Sequence, residues 1–184
     1  ADLQELIERL LDATRAELGR LPIEPVSVPV MACARAAAEP WLGKVDLEIV
    51  GDPDVHVCAD PVRLRQVISN LLSNAVRHAG QGRIELAVAE SGGWARIAVH
   101  DEGPGIPTEE QVHIFDRFAQ GRVGTKGQGL GIGLYLSQRI VEAHGGRIDL
   151  QSAPGVGSTF TVLLPAIPRP PPATAYGAGT QPAA

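Results

Sequence analysis

The sequence predicts a domain of the mixed α/β class, because stretches with helical periodicity and stretches with strand periodicity alternate along the chain. Apolar residues three or four positions apart indicate helices over about 1–20, 29–38 and 60–78 and between Gly133 and Gly145. Alternating apolar and polar residues indicate strands at 45–50, 55–58, 83–89, 95–100, 147–151 and 158–164. The 184 residues suffice for one domain with short appendages at both ends.

The first predicted helix carries an apolar stripe, which indicates that it packs against a partner helix. The stripe consists of Leu3, Ile7, Leu10, Leu11, Thr14 and Leu18. Ala1 stands inside this helical pattern without a preceding Met or a capping residue. We therefore expect that the chain was cut from a longer protein.

The next elements are predicted from turn and capping residues. The stretches 45–50 and 55–58 flank a turn at Asp52 and Pro53, which predicts a β-hairpin. Asp60 stands directly before Pro61, an arrangement typical of an N-cap followed by the first helical residue. The helix over 60–78 is therefore expected to begin there.

Charge and hydropathy exclude several classes of protein. The chain has 16 Lys and Arg residues against 21 Asp and Glu residues, a formal net charge of -5. Without a basic surface we expect no binding to nucleic acid and no contact of this fragment with a membrane. No stretch reaches the roughly 18 consecutive apolar residues of a membrane span, and the start lacks the order of a signal peptide. We expect a soluble, cytoplasmic chain, either alone or as the cytoplasmic part of a membrane-bound protein.

The cysteines and the C-terminal stretch complete the composition. Cys33 and Cys58 lie in apolar surroundings without the spacing of a metal site, so we expect reduced thiols in the core. From Ala166 the chain consists mainly of Pro, Ala, Gly and Thr. Such a stretch has too few large apolar groups to offset the entropy of ordering, which predicts a disordered tail.

The helix over 60–78 carries asparagines beside its predicted buried face. That face consists of Leu64, Val67, Ile68, Leu71, Leu72 and Ala75, and the polar stripe beside it of Asn70, Asn74 and Arg77. Asparagine is roughly 0.7 kcal/mol less favourable than alanine inside a helix, so two of them one turn apart need a reason. One reading is an exposed polar face. The other is that the amide oxygens ligate a hard cation such as Mg²⁺ beside bound phosphates.

A second candidate site follows the strand predicted at 95–100. Asp101 ends this strand and is followed by a turn that contains Gly103 and Gly105. A carboxylate there can accept a hydrogen bond from an exocyclic amine, and glycines allow a flat base to approach the backbone. The alternative is a turn that only ends the strand.

The third candidate is a glycine run that leads into the last predicted helix. Gly127, Gly129, Gly131 and Gly133 occupy every second position. Such a run presents unobstructed backbone N–H groups and a helix N-terminus to an anion. No Gly-Lys-Ser/Thr follows and no strand leads directly into the run, so neither a Walker loop nor a dinucleotide-binding turn is indicated.

Taken in order, five segments resemble the N, G1, F, G2 and G3 boxes of bacterial sensor histidine kinases. They are NLLSNA at 70–75, DEGPGIP at 101–107, IFDRF at 114–118, GQGLGIGL at 127–134 and SAPGVGSTFTVLLP at 152–165. The resemblance covers about residues 25–165. The N-terminal helix more loosely resembles the end of the family's dimerisation hairpin.

The resemblance implies a fold and a division of the chain. The fold is the Bergerat-type α/β (α+β) two-layer sandwich, in which a mixed, mostly antiparallel five-stranded sheet packs on three helices. Residues 1–21 would be the end of the dimerisation helix, 22–165 the ATP-binding catalytic domain, and 166–184 the disordered tail.

The resemblance also implies ATP and Mg²⁺ as ligands and assigns residues to them. Asn74 resembles the Mg²⁺ ligand, with Asn70 as a supporting polar group and second metal candidate. Arg77 and His78 resemble phosphate neighbours, and Asn70, Asn74 and Arg77 together resemble the catalytic group. Asp101 resembles the acid that binds adenine.

The remaining ATP contacts are implied in the same way. Gly103, Gly105 and Ile106 resemble the turn under the base, and Thr159 resembles its hydroxyl support. The phosphates would lie against Lys126, Gly127, Gln128, Gly129, Leu130, Gly131, Ile132, Gly133 and Leu134. Residues 108–126 resemble the family's mobile lid, with Phe115 and Phe118 as its apolar anchors and Arg117 or Lys126 as phosphate cations.

The implied activity is transfer of the γ-phosphoryl group of ATP to a histidine on a separate dimerisation domain. In gyrase and the Hsp90 chaperones a glutamate at the position of Asn70 activates water, whereas an amide cannot act as a general base, so we expect slow hydrolysis. Of the chain's five histidines only His100 faintly resembles the acceptor motif, and we expect no acceptor in this chain. The implied partners are the chain's own dimerisation domain, a response regulator, and a second copy in the full-length homodimer.

Two other functions remain open at this point. A serine kinase of the anti-sigma type shares the nucleotide-binding fold but typically lacks the IFDRF segment and the preceding helix. A non-catalytic ATP-sensing module would retain the nucleotide contacts without transfer.

Overall fold

A computed structural model describes residues 3–119 and 131–170. The helices in these ranges are α1 (Leu3–Glu17), α2 (Val30–Ala38), α3 (Pro61–Ala79), α4 (Thr108–Gln111) and α5 (Gly133–Ala143), with a short 3-10 turn at Glu39–Trp41. The strands are β1 (Val26–Pro29), β2 (Leu47–Gly51), β3 (His56–Ala59), β4 (Ile84–Ser91), β5 (Trp94–Asp101), β6 (Arg147–Ala153) and β7 (Gly157–Ile167).

The strands form one mixed sheet in the order β1-β3-β7-β5-β4-β2, with β6 also paired to β7. Only the pairing of β2 with β4 is parallel among the described strands. Helices α2, α3 and α5 pack on one face of this sheet. The predicted sandwich of a mostly antiparallel sheet under three helices is confirmed, with seven strands instead of five. The additional strand pair is β1 with β3, which continues the sheet beside the last residues of β7.

The hairpin predicted at 45–50 and 55–58 is wrong. Strand β2 pairs in parallel with β4, and β3 pairs with β1 and β7. Gly51 has a φ of 124°, and a Cβ there would lie 1.9 Å from the carbonyl oxygen of Val88. This close approach keeps the chain against β4 through Asp52, whose N–H donates to Val88, so the chain does not turn back on itself.

Helix α3 forms the centre of the core. Its predicted apolar face is at most 3% exposed, namely at Leu64, Val67, Ile68, Leu71, Leu72 and Ala75. The Oδ1 atom of Asp60 accepts the N–H groups of Val62 at 2.9 Å and Arg63 at 3.1 Å. The predicted N-cap at Asp60 is therefore confirmed, and it fixes where α3 begins.

Helix α1 packs through a different face from the one expected. Ala13 is fully buried, and Asp12 forms an ion pair with Arg63 at the start of α3. The described members of the apolar stripe remain exposed, with relative exposures from 42% at Leu10 to 64% at Leu18. The stripe is therefore free of contacts that would bury it within the described part of the chain.

Two smaller predictions are wrong in part, namely the burial of both cysteines and the start of the C-terminal tail. Cys33 is buried, and burial raises the pKa of its thiol to about 11, whereas Cys58 is exposed, so the prediction that both thiols lie in the core is wrong for Cys58. The predicted tail begins too early, because Ala166 and Ile167 pair with β3 as the end of β7. Residues 171–184 lie outside the described ranges. None of the described helices is long and apolar enough to cross a membrane.

Candidate functional site

The polar stripe of α3 borders the start of α5. The Nδ2 atom of Asn70 donates a hydrogen bond to Oγ of Ser137 at 3.0 Å. A Cβ at Gly133, the first residue of α5, would lie 2.3 Å from Oδ1 of Asn70. Only glycine at position 133 therefore allows the amide oxygen to lie this close to the N-terminus of α5.

The other residues of the stripe are available to a ligand. Asn74 is partly buried, and its side chain makes no hydrogen bond to another residue of 3–119 or 131–170. Arg77 and His78 are exposed at the C-terminal end of α3. Desolvation lowers the pKa of His78, and the positive charge of Arg77 lowers it further. The arrangement favours a neutral His78 imidazole next to the permanent charge of Arg77.

Asp101 ends β5 and is buried, with 4% of its surface exposed. Its Oδ1 accepts the N–H of Gly103 at 2.9 Å. Burial raises the pKa of Asp101, although the Gly103 hydrogen bond acts in the opposite direction. A carboxylate in such a place is costly for the fold, which is typical of a group retained for binding.

Gly103 connects this acid to the end of α3. A Cβ at position 103 would lie 2.5 Å from Oδ1 of Asp101 and 2.9 Å from the carbonyl oxygen of His78. The sequence predicted Asp101 and the asparagine stripe as separate candidates. The structure brings Asp101 to the C-terminal end of the helix that carries the stripe, since α3 ends beside the turn that follows β5.

The hydroxyl expected to support the adenine-binding acid is not that of Thr159. Thr159 is paired with His100, and its Oγ1 lies 2.9 Å from Nδ1 of that histidine, on the face of the sheet opposite to Asp101. Ser158 pairs directly with Asp101 and is 5% exposed. The strand alternation of β7 was the signal that could have identified Ser158, because successive side chains point to opposite faces.

The turn after Asp101 is held against the β6–β7 connection. Gly105 has a φ of 71°, and a Cβ there would lie 2.0 Å from the carbonyl oxygen of Ala153. The N–H of Gly155 donates to the carbonyl oxygen of Pro104 at 2.7 Å. Ile106, which the resemblance placed under the base, is partly buried and packs against the core.

The two expected anchors of the lid behave differently. Phe115 packs edge-on against Phe160, with ring centroids 6.4 Å apart. Phe118 is 54% exposed and has a φ of 61°, so it is not an apolar anchor in this structure. The backbone at Phe118 instead meets the glycine run, because its N–H donates to the carbonyl oxygen of Gly131 at 3.0 Å. The left-handed backbone turns the Phe118 side chain away from the core.

The expected phosphate cation Arg117 already has protein partners. Its guanidinium forms an ion pair with Glu17 of α1 and lies over the rings of Phe118 and Tyr135, at 5.2 and 5.9 Å from their centroids. Lys126 lies outside the described residues, as do Gly127, Gln128, Gly129 and Leu130. Of the rest of the run, Ile132 is buried and Leu134 packs against the core.

Known proteins resemble this chain in sequence and in fold. Residues 59–168 match the family described as "Histidine kinase-, DNA gyrase B-, and HSP90-like ATPase". The signal transduction histidine-protein kinase AfsQ2 of Streptomyces coelicolor is 37% identical over 172 residues, which are 92% of this chain and 32% of AfsQ2. The alginate biosynthesis sensor protein KinB of Pseudomonas aeruginosa is 38% identical over 87% of this chain and 28% of its own.

Solved structures show the same likeness. The full-length ShkA structure, in complex with AMPPNP, superposes with a TM-score of 0.77 at 27% identity and covers 90% of this chain and 36% of ShkA. The mycobacterial sensor histidine kinase MprB superposes with a TM-score of 0.69 at 26% identity over 79% of this chain and 99% of its own. This chain spans between 18% and 32% of the length of the curated relatives named here and of the full-length sensor kinases like them. Because the family model matches residues 59–168, more than half of the chain, the protein belongs to the histidine kinase-, DNA gyrase B- and HSP90-like ATPase family.

Proposed function

We propose that this chain binds Mg-ATP between α3, the end of β5 and the start of α5, and transfers the γ-phosphoryl group to a histidine on a separate dimerisation domain. The observation that carries the proposal is the position of the buried Asp101 carboxylate beside the C-terminal end of α3, the helix that carries the asparagine stripe. Asp101 would bind the base, and the asparagine stripe would bind the phosphates and their metal. The names of the relatives, histidine kinases and sensor proteins, support the same activity.

The base would lie against the turn that follows Asp101. A carboxylate offers only acceptors, which match the exocyclic amine of adenine. Gly103 and Gly105 leave no side chain between the backbone and the base. Ser158, opposite Asp101, is the hydroxyl that we assign to this site in place of Thr159.

The phosphates and Mg²⁺ would lie along α3. Asn74 has an amide oxygen without a partner among the described residues, and Mg²⁺ prefers oxygen ligands, so the residue fits the metal. When bound, Mg²⁺ would neutralise charge on the phosphate oxygens. Arg77 would add positive charge, and the backbone N–H groups at the start of α5 would face the phosphates.

Asn70 explains why transfer is favoured over hydrolysis. Its amide is held by Ser137 and has no basic atom with which to take a proton from water. Phosphoryl transfer depends mainly on position and charge stabilisation, so an imidazole brought in line by another domain would suffice.

Three of the chain's five histidines, His56, His100 and His144, are poor acceptors because one or both of their ring nitrogens already have partners. Both ring nitrogens of His144 have backbone partners, and His56 is buried with Nδ1 at 2.9 Å from the carbonyl oxygen of Asp54. His100 is bonded to Thr159 on the opposite face of the sheet from Asp101. The acceptor would therefore come from the dimerisation domain, in a homodimer that passes the phosphoryl group on to a response regulator. Since ATP is a cytoplasmic substrate, we place the domain in the cytoplasm.

Two features favour this function over a serine kinase of the anti-sigma type. Phe115 of the IFDRF segment packs on Phe160, and Arg117 of the same segment contacts Glu17 of α1. A serine kinase of the anti-sigma type typically lacks both the segment and the helix. A module that only senses ATP would bind nucleotide without any transfer.

The test uses the chain with labelled Mg-ATP, alone and with a supplied dimerisation domain that carries an acceptor histidine. We expect the chain alone to bind nucleotide without labelling itself or releasing appreciable phosphate. With the acceptor domain, acid-labile label should appear on that domain only. Label on a histidine of this chain, or binding without transfer to any supplied acceptor, would refute the proposal.

A further inference from the structure

The turn that carries the base-binding residues is held by side chains outside the turn. Residues 102–107 pack on the β6–β7 connection through Gly105 and Pro104, as described above. These backbone contacts bring the two segments together but do not by themselves fix the end of the turn. Two polar side chains do so, Ser152 on β6 and Gln111 at the end of α4.

Ser152 uses its whole hydrogen-bonding capacity at this junction. Its Oγ accepts the N–H of Ile106 at 2.8 Å, donates to the carbonyl oxygen of Gly157 at 2.9 Å, and lies 3.0 Å from Oγ of Ser158. A hydroxyl has one hydrogen and two lone pairs, so Ser158 is the donor in the third contact. Ser152 thus joins the turn after Asp101 to the serine that pairs with Asp101.

Gln111 hydrogen-bonds to both residues of this junction, Ile106 and Ser152. Its Nε2 donates to the carbonyl oxygen of Ile106 at 2.7 Å and to that of Ser152 at 3.0 Å. Both amide hydrogens are therefore used, and both acceptors belong to residues already joined by the Ser152 hydroxyl. Ile106 has its N–H and its carbonyl oxygen fixed by these two side chains, which leaves its peptide groups a single orientation.

We propose that Ser152 and Gln111 are positioning residues that determine base specificity, because they fix residues 103–106 in the orientation that presents Asp101 to adenine. This inference rests on the proposed function. Neither side chain is assigned a contact with nucleotide. Their effect passes through the turn, whose first glycine donates to Asp101 and whose second lies against Ala153.

Base specificity is the property most sensitive to this positioning. Adenine presents an amine to the carboxylate, whereas guanine presents a carbonyl oxygen, which would be repelled. A site built to pair with a donor rejects a ligand without one strongly, but only while its own groups are held in place. A turn that moves would weaken the contact with adenine and relax the rejection of guanine.

The test compares Gln111→Glu and Ser152→Ala with the unchanged chain, by calorimetry with Mg-ADP and by competition with Mg-GDP against a fluorescent ADP analogue. Glutamate has the shape of glutamine but cannot donate, and alanine lacks the hydroxyl. We expect the Kd for ADP to rise about tenfold in each variant, because Gln111→Glu loses two hydrogen bonds and Ser152→Ala loses three, one of them to the turn itself. The Kd for GDP should change little. The ratio of the Kd for GDP to the Kd for ADP should therefore fall by about tenfold.

Matched variants separate positioning from general destabilisation. Gln151→Ala alters the exposed neighbour of Ser152 on the same strand and should leave this Kd ratio unchanged. Ser152→Thr keeps the hydroxyl, so its Kd ratio should be close to that of the unchanged chain. A rise in both Kd values by one factor, or no change in either, would overturn this inference and leave the proposed function intact. Failure of the unchanged chain to bind Mg-ADP would instead refute the proposed function.

Discussion

Asn70 and Ser137 join the two helices that flank the candidate phosphate site, through the 3.0 Å hydrogen bond from Nδ2 to Oγ. Ser137 is 2% exposed, so its hydroxyl is buried at the junction of the two helices. The bond directs the amide oxygen of Asn70 toward the first residue of α5, where only glycine fits. The orientation of Asn70 therefore depends on a residue 67 positions away in the chain.

Ser137→Ala tests this relationship. The substitution leaves the partly buried amide donor of Asn70 without this partner, which costs roughly 0.5–1.5 kcal/mol of unfolding free energy. We also expect slower phosphoryl transfer, because the Asn70 amide can then rotate. Chemical denaturation measures the first effect, and transfer to a supplied acceptor domain the second. Ser73→Ala, on α3 without a hydrogen bond from its side chain to another described residue, is the control, and equal effects of both variants would contradict the prediction.

Asn74→Ala tests the proposed metal ligand. Its loss should remove most of the Mg²⁺ dependence of nucleotide binding and abolish transfer, while ADP without metal should bind as before. Isothermal calorimetry with and without Mg²⁺ separates the two contributions. The unfolding temperature should change little, since the Asn74 amide has no hydrogen-bond partner among the described residues. Normal transfer by the variant would show that the metal is held elsewhere.

Asp101→Asn should separate binding from stability. Burial raises the pKa of Asp101 above its value in the unfolded chain, so ionisation costs more in the folded state, and this group weakens the fold as the pH rises through that pKa. Asparagine keeps an oxygen for the Gly103 N–H and carries no charge. We expect Asp101→Asn to be more stable than the unchanged chain at neutral pH and to lose this advantage in acid.

Binding should change in the opposite direction. The variant exchanges one acceptor oxygen for a donor, so its affinity for ADP should fall by about tenfold or more at neutral pH. Thermal unfolding from pH 4 to 8 and ADP calorimetry at pH 7 measure the two effects. A variant less stable than the unchanged chain at pH 7 would contradict the burial argument.

His144→Ala tests a contact that ties the end of α5 to the start of α3. Nδ1 of His144 lies 2.7 Å from the carbonyl oxygen of Ile140, which assigns the proton to Nδ1, and Nε2 accepts the N–H of Asp60 at 3.0 Å. Alanine leaves that N–H without its partner, and we expect a loss of about 1–2 kcal/mol in unfolding free energy. The exposed His113 provides the control, and His113→Ala should change stability by less than about 0.5 kcal/mol. Equal losses would refute a specific role for His144.

The sequence by itself determined the class of the fold, the buried face of α3, the N-cap at Asp60 and the family, because each depends on residues that lie close together in the chain. Apolar spacing describes a helix face directly, and the order of the five boxes carries the resemblance. Asp101, Gly103 and Gly105 were identified in the same way, because they lie within five consecutive residues.

Pairings between distant segments were decided only by the tertiary structure. The sequence placed 45–50 and 55–58 in one hairpin, but β2 pairs with β4, and β3 pairs with β1 and the end of β7. Thr159 and Ser158 both carry hydroxyls, and only the register of β7 against β5 decides which of them faces Asp101. Ser152 and Gln111 show no motif of their own, since their importance lies in the hydrogen bonds that join Ile106 to Ser152 and Ser152 to Gln111 across distant segments. Strand register and side-chain hydrogen bonds across 40 or more residues depend on how the whole sheet closes, and local spacing carries no information about that.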